Sequence, residues 1–308
     1  MHPTITERRT RVRPPAPADD IQVRAGAAAR QDDPVTWQLT HSIIDFLAAA
    51  DGWLRADPVR NTVPLTVLES VQHSGAAIYT QHRPLFGWHE TTPGVADGAL
   101  LQTPPFPVLI AGLPDGSADE LAGLLAVYQP QAANLAEPDA ATLGAAWTRV
   151  TGGGTAVRTS MRLFRLAGLT PATAPGAARL ADRSDFGLLT AWHAEFAAET
   201  GTVLGRDLDD KLSHGGITVW ADGRGEPVAM ASLTRQVAGV CRVGAVYTPP
   251  AHRGRGYGGA VTSAVSRQAL DAGAEVVLYT DLANPTSNAL YPRLGYRPVG
   301  DWTVIELG

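Results

Sequence analysis

The apolar positions of this chain change period several times. Leu39, Ile43, Ile44 and Leu47 recur at helical spacing and predict one apolar helix face. Asp51-Gly52 and Asp57-Pro58 punctuate the chain, and Asn61 to Val71, with Leu65 and Leu68, predicts a second helix. Between Ala76 and Gly112 come short β-prone runs: A-A-I-Y-T, P-L-F-G-W-H and P-V-L-I-A-G. Ala118–Val127 and Ala140–Val150 read as helices, the glycines at 152–154 as a break, and Met161–Leu166 as a strand. The stretch T-P-A-T-A-P-G at 170–176 reads as a linker, because two prolines in so short a span disfavour helix.

Past the linker the pattern sharpens. Ala178–Leu180 opens a short strand, and Ser184-Asp185 can cap a helix through Leu188, Leu189, Trp192 and Phe196. Ile217–Trp220 and Val228–Leu233 read as a hairpin about the turn Asp222–Glu226. Val237–Gly239 turns again into a strand at Val240–Tyr247. A helix over Gly256–Ala272, a continuously apolar strand at Val276–Tyr279, a short helix at Pro285–Leu294 and a closing strand at Tyr296–Leu307 complete the order β-α-β-β-β-α-β-α-β. The N-terminal half has a similar rhythm, which predicts a divergent internal duplication. The division expected is a disordered leader over 1–33, a first unit over 34–169 and a second over 170–308.

Composition narrows the chemistry. A chain of 308 residues has room for about two domains. A net charge of −5 supplies no basic field for nucleic acid or an anionic membrane. Lys211 is the only lysine, so the basic residues are nearly all arginine. Cys241 is the only cysteine, which rules out an intramolecular disulfide and a multi-thiolate metal site; it reads as a small buried strand residue. His41, His73, His82 and His89 lack ligand spacing, so no metal is expected. With no run of about 18 apolar residues and no apolar signal core, a cytoplasmic protein that spans no membrane is expected, as a monomer or homodimer.

The candidate chemistry lies in V-Y-T-P-P-A-H-R-G-R-G-Y-G-G-A, from Val246 to Ala260. Here glycines between a strand and a helix let backbone amides approach an anion, and the helix dipole favours negative charge. No G-K-[ST] follows, so it is no Walker loop, and a dinucleotide fingerprint fits poorly.

Arg253, Gly256 and Gly258 form R-x-x-G-x-G, which resembles the acetyl-CoA pyrophosphate loop of the GNAT (Gcn5-related) N-acetyltransferase superfamily. Asn284, Ser287, Leu290, Tyr291, Gly295 and Tyr296 form N-x-x-S-x-x-L-Y-x-x-x-G-Y, which is similar to that family's next motif, one helix and one strand further on. The resemblance covers roughly 176–308 and implies a mixed, mostly antiparallel α/β (α+β) GNAT-type sheet flanked by helices, in two tandem units of which the first is degenerate. It implies that backbone groups at Val246, Tyr247 and Thr248 meet the pantetheine arm, and that Arg253, Gly254, Arg255, Gly256, Tyr257, Gly258 and Gly259 hold the pyrophosphate. Asn284 and Ser287 complete the acetyl-CoA contacts, and Tyr291 protonates the departing thiolate. Thr248-Pro249-Pro250 departs from the family's usual single proline.

The reaction implied is direct attack of a neutral amine on the thioester, with an amide near Val246 or Tyr247 stabilising the oxyanion. The base and substrate contacts stay open among Asp281, His193, Glu195 and Glu199, each of which also fits a solvated helix or loop. A small-molecule amine is the expected acceptor; a protein N-terminus or lysine is the alternative, and a non-catalytic acyl-CoA sensor the other. In the first unit the comparable turn, L-P-D-G-S-A-D-E-L, has one glycine and three acids, which would repel a diphosphate. That unit is expected to pack against the second and to supply one wall of its cleft.

Overall fold

Strand and helix segments alternate in two matching series. A computed structural model describes residues 36–79, 81–202 and 207–308; the leader expected over 1–33 lies outside them. The first series is β1 (Thr36–Thr40), α1 (Ile43–Ala56), α2 (Thr62–Ser74), β2 (Leu85–Thr92), β3 (Val95–Gln102), β4 (Val108–Ala111), α3 (Ala118–Tyr128), β5 (Ala132–Ala136), α4 (Glu137–Thr151) and β6 (Thr155–Leu166). The second is β7 (Ala177–Leu180), α5 (Phe186–Thr200), α6 (Leu208–Ser213), β8 (Ile217–Ala221), β9 (Pro227–Leu233), β10 (Val240–Tyr247), α7 (Tyr257–Asp271), β11 (Glu275–Asp281), α8 (Pro285–Arg293) and β12 (Tyr296–Leu307). The order β-α-α-β-β-β-α-β-α-β occurs twice, so the duplication is present element for element.

All twelve strands form one sheet in the order β1-β2-β3-β4-β5-β12-β6-β11-β10-β9-β8-β7. That order reads the same from either end once each strand is exchanged for its counterpart six places away. Pairing is antiparallel except between β4 and β5 and between β10 and β11. The last strand of each series is inserted into the other: β6 lies between β11 and β12, and β12 between β5 and β6. The two halves are therefore joined through the middle of the sheet.

Helices cover both faces. On one, α3 and α4 bury Leu121, Leu125, Leu143 and Trp147, and α7 and α8 bury Val261, Val265 and Tyr291. On the other, α1 and α2 bury Phe46, Leu54, Leu65 and Leu68, and α5 buries Leu189 and Trp192. With both faces covered, β9 is buried along nearly its whole length, which is why all of it but Ser232 is apolar.

Several expectations are corrected. Leu39 belongs to a strand, not to the first helix face, and that helix runs through Gly52. Strand β3 and helix α6 join the elements read from the pattern, and Ala76–Ile78 is a 3-10 turn, not a strand. Strand β6 begins six residues before Met161. Its first residues pair only with β12 and are exposed, and T-A-V-R-T-S carries no apolar alternation to mark a strand.

Candidate active site between the halves

The glycine-rich turn forms the start of α7. Pro250–His252 makes a single 3-10 turn, and Gly254 (φ +75°) and Gly256 (φ +83°) then take left-handed conformations that favour glycine. Gly256 is the N-cap, and no side chain caps the helix. The first helical bond runs from Ala260 N to Gly256 O (3.0 Å), so the amides of Tyr257, Gly258 and Gly259 precede the intrahelical ladder. Arg253 to Gly256 are exposed. Uncapped amides, a helix dipole and open space form an anion cradle.

Arg253 secures the turn instead of reaching outward. Its Nε donates to Thr248 O (2.9 Å), and its guanidinium contacts both oxygens of Glu199 (2.7 Å) and lies over the Tyr247 ring. The Tyr247 hydroxyl donates to Glu195 (2.7 Å). Glu195 and Glu199, expected near the substrate, thus tie α5 to the end of β10. Arg255 has no ion-pair partner among the described residues and is the guanidinium free to meet an anion.

The ladder between β10 and β11 stops at Val243 and Leu278, although both strands continue. Beyond that point β10 carries a bulge against β9 between Gly244 and Tyr247, with Ala245 at φ +43°. Val246 lies there, half-buried against the α7 core. Backbone groups of β10 are released from pairing beside the cradle, as an added extended ligand requires.

On the opposite face from α7, a cavity of about 340 Å³ opens at Val243, Gly244 and Ala245. That volume suits a small molecule. Phe196, Lys211 and His214 of the second series line it, together with Thr66, Glu69 and Tyr79 of the first. The N-terminal half therefore supplies a wall of this cavity. Arg242, Glu69 and Tyr79 were missed in the sequence. The one available signal was Arg242, a charge inside the apolar run V-C-R-V; the others are joined to the site only by the fold.

Helix α8 carries the second motif. Asn284 is its N-cap, its Oδ1 accepting from Ser287 N (3.1 Å). Tyr291 is buried between Phe164 and Tyr296. Burial pushes its hydroxyl up to about 12, opposed in part by a hydrogen bond with Ser287. Asp281 is exposed and accepts from Ala283 N (2.8 Å), which closes the turn before α8; it does not line the cavity. His193 is buried on α5 with Nε2 unpartnered, and it does not line the cavity either. Burial, reinforced by Lys211 and opposed by Asp207, lowers its pKa to about 4.

The counterpart turn in the first series is acidic. Asp119 and Glu120 occupy the first turn of α3, Glu120 accepts from Trp37 N (3.2 Å), and Asp119 pairs with Arg149. No side chain caps α3 either, but two carboxylates in its first turn oppose an added anion there.

Residues 223–303 match the family model described as FR47-like protein, which is GNAT-like. The described residues have the fold of GNAT acetyltransferases. A GCN5-related N-acetyltransferase from Sphaerobacter thermophilus superposes with a TM-score of 0.57 at 14% identity, covering 88% of this chain and 96% of that one. A GNAT-family acetyltransferase from Colwellia psychrerythraea gives 0.56 at 12% identity, covering 88% and 98%. A Drosophila protein whose function is not stated gives 0.61 at 17% identity, covering 89% and 99%. Among curated proteins none matches the chain. No described helix is long and apolar enough to cross a membrane, and the described residues hold no cluster suited to a metal ion.

Proposed function

We propose that this chain is an acetyl-CoA-dependent N-acetyltransferase that acetylates a primary amine of a small molecule, with one active site, in residues 170–308. One juxtaposition carries the reading. The uncapped start of α7 lies beside the point where β10 and β11 part, and the cavity opens at the same β10 residues on the other face. The donor would approach from the α7–α8 face and the acceptor from the cavity.

The cradle suits a pyrophosphate because residues 253–256 are exposed, no side chain caps the helix and a Cβ at Gly256 would be strained. The amides from Gly254 to Gly259 and the Arg255 guanidinium would hold the phosphates, and the released backbone of Val246 to Thr248 the pantetheine arm. Acetyl-CoA supplies an activated acyl group when bound. A bulge amide near Val246 is placed to stabilise charge developing on the thioester oxygen. Tyr291, held neutral by burial, gives its proton to the departing sulfur as the amine nitrogen takes the acyl carbon. The proton lost by the amine passes to a base reached from the cavity. A cytoplasmic location fits this donor.

The test separates binding from chemistry. Tyr291→Phe should lower kcat by about 100-fold or more, the usual range for losing an acid, while the Kd for coenzyme A stays within about twofold. Equal loss of both would contradict the assigned role.

A further inference from the structure

The charges around the cavity do not all pair. Asp207 is bound to Lys211 at 3.0 Å and Asp210 to Arg235 at 2.8 Å, while His214 Nδ1 contacts Asp210 O at 2.7 Å. Two lining charges have no ion-pair partner among the described residues: Arg242 on β10 and Glu69 on α2. The Arg242 guanidinium has one side-chain contact, Thr62 Oγ1 at 3.5 Å, the far limit of a hydrogen bond. Around it stand the cavity-lining hydroxyls of Tyr79 and Tyr279. Arginine stays charged in proteins, and even a half-buried cation without an ion-pair partner is costly. Two further cavity-lining atoms, Asn134 Oδ1 and Arg235 Nε, are buried without any hydrogen-bond partner. The wall therefore holds a cation with no ion pair among the described residues, which only the field of the Lys211-bound Asp207 offsets, and two polar atoms without a partner.

The position of Arg242 defines what it can read. Arg242 and Gly244 are two residues apart on one strand, so they face the same side, about 7 Å apart along it. Gly244 opens the bulge where the acyl carbon is expected. A molecule with an anionic group at Arg242 and its amine at the bulge spans only a few bonds. Glu69 adds one unpaired negative charge to the same lining, so the leftover charges match a molecule that carries both signs.

We propose that the acceptor is a small primary amine bearing a carboxylate, and that Arg242 is the residue that binds this carboxylate. This rests on the acyl-transfer reading of the site. A planar guanidinium offers a carboxylate two parallel donors, which fixes the orientation of the amine as well as its affinity.

The experiment measures kcat/KM for matched amines with acetyl-CoA as donor: phenylalanine against phenethylamine, leucine against isoamylamine, and phosphoethanolamine against ethanolamine. The wild-type protein should favour the amino acids over their decarboxylated partners by about 10- to 100-fold, the range of a charged hydrogen bond. Arg242→Met should bring that ratio close to one, and Arg242→Lys should keep part of it. Equal rates for both members of a pair, a preference that survives Arg242→Met, or phosphoethanolamine outrunning every amino acid would each overturn the proposal. The wild-type ratio decides even where Arg242→Met fails to fold. Acetylation of the plain amines alone would leave the acyl-transfer reading standing and this inference refuted. Coenzyme A binding without thiol release for any amine would refute both.

Discussion

His193 shows how one buried side chain turns environment into a measurable pH effect. Its imidazole is 7% exposed and Nε2 has no partner, so the neutral form is held in the folded chain and protonation begins near pH 4. In the unfolded chain a histidine protonates near 6.5. The unfolded state therefore takes up the proton first, and stability is full above about pH 6.5 and falls between about 6.5 and 4. The loss is on the order of 3 kcal/mol. Thermal denaturation across that window should show the wild-type Tm dropping, with His193→Gln giving a flatter profile; parallel profiles would remove His193 as the cause. The same residue shows what a sequence hides. His193, Glu195 and Glu199 share a helix, but only the structure gives His193 to the core, Glu195 to Tyr247 and Glu199 to Arg253. Spacing on a helix tells which residues are neighbours and not which partner the next element brings. Arg242 was visible as a charge in an apolar strand, yet its lack of a counter-charge depends on where Asp207 and Asp210 find theirs.

At the level of elements, the turn from β10 into α7 was the most legible part of the chain. Its glycines have a local conformational cause that needs no tertiary partner. Gly256 has φ +83°, and a Cβ there would lie 3.4 Å from Thr173 O and 3.8 Å from Ala174 Cβ, in the linker that crosses the helix start. Gly256→Ala should therefore cost about 1 kcal/mol in stability and raise the Kd for coenzyme A several-fold. Gly223→Ala, in the β8–β9 turn where a Cβ meets nothing within 4 Å, should stay within about 0.5 kcal/mol with unchanged binding. Chemical denaturation and calorimetric titration of both variants check this, and similar behaviour of the two would contradict the special role of Gly256. The hairpin β8–β9 and the closing strand β12 were equally legible, since turn residues and alternation mark them locally. Strand β3, helix α6 and the exposed start of β6 were not. The start of β6 is ordered by β12, which is distant in sequence, whereas β3 pairs with its chain neighbours but carries Asp97-Gly98, a dipeptide that reads as a turn.

Across the whole molecule, the duplication explains why a chain with two matching series has one cradle. Each series reaches the same turn, but the first carries Asp119 and Glu120 in its first helical turn and the second carries no acid there. The element rhythm foretold two units; nothing in it foretold that β6 and β12 would change places, because strand exchange leaves the local pattern intact. That exchange brings α2 of the first series against β10 of the second, and with it Glu69 against the lining that holds Arg242. The first series thus supplies part of the cavity lining. The central claim is amine-dependent acyl transfer, and the most direct measurement is thiol release from acetyl-CoA by the wild-type chain across a panel of primary amines. The account predicts saturable release that requires an amine and yields one N-acetylated product per thiol. Saturable binding of coenzyme A with no amine-dependent release for any member of the panel would contradict it.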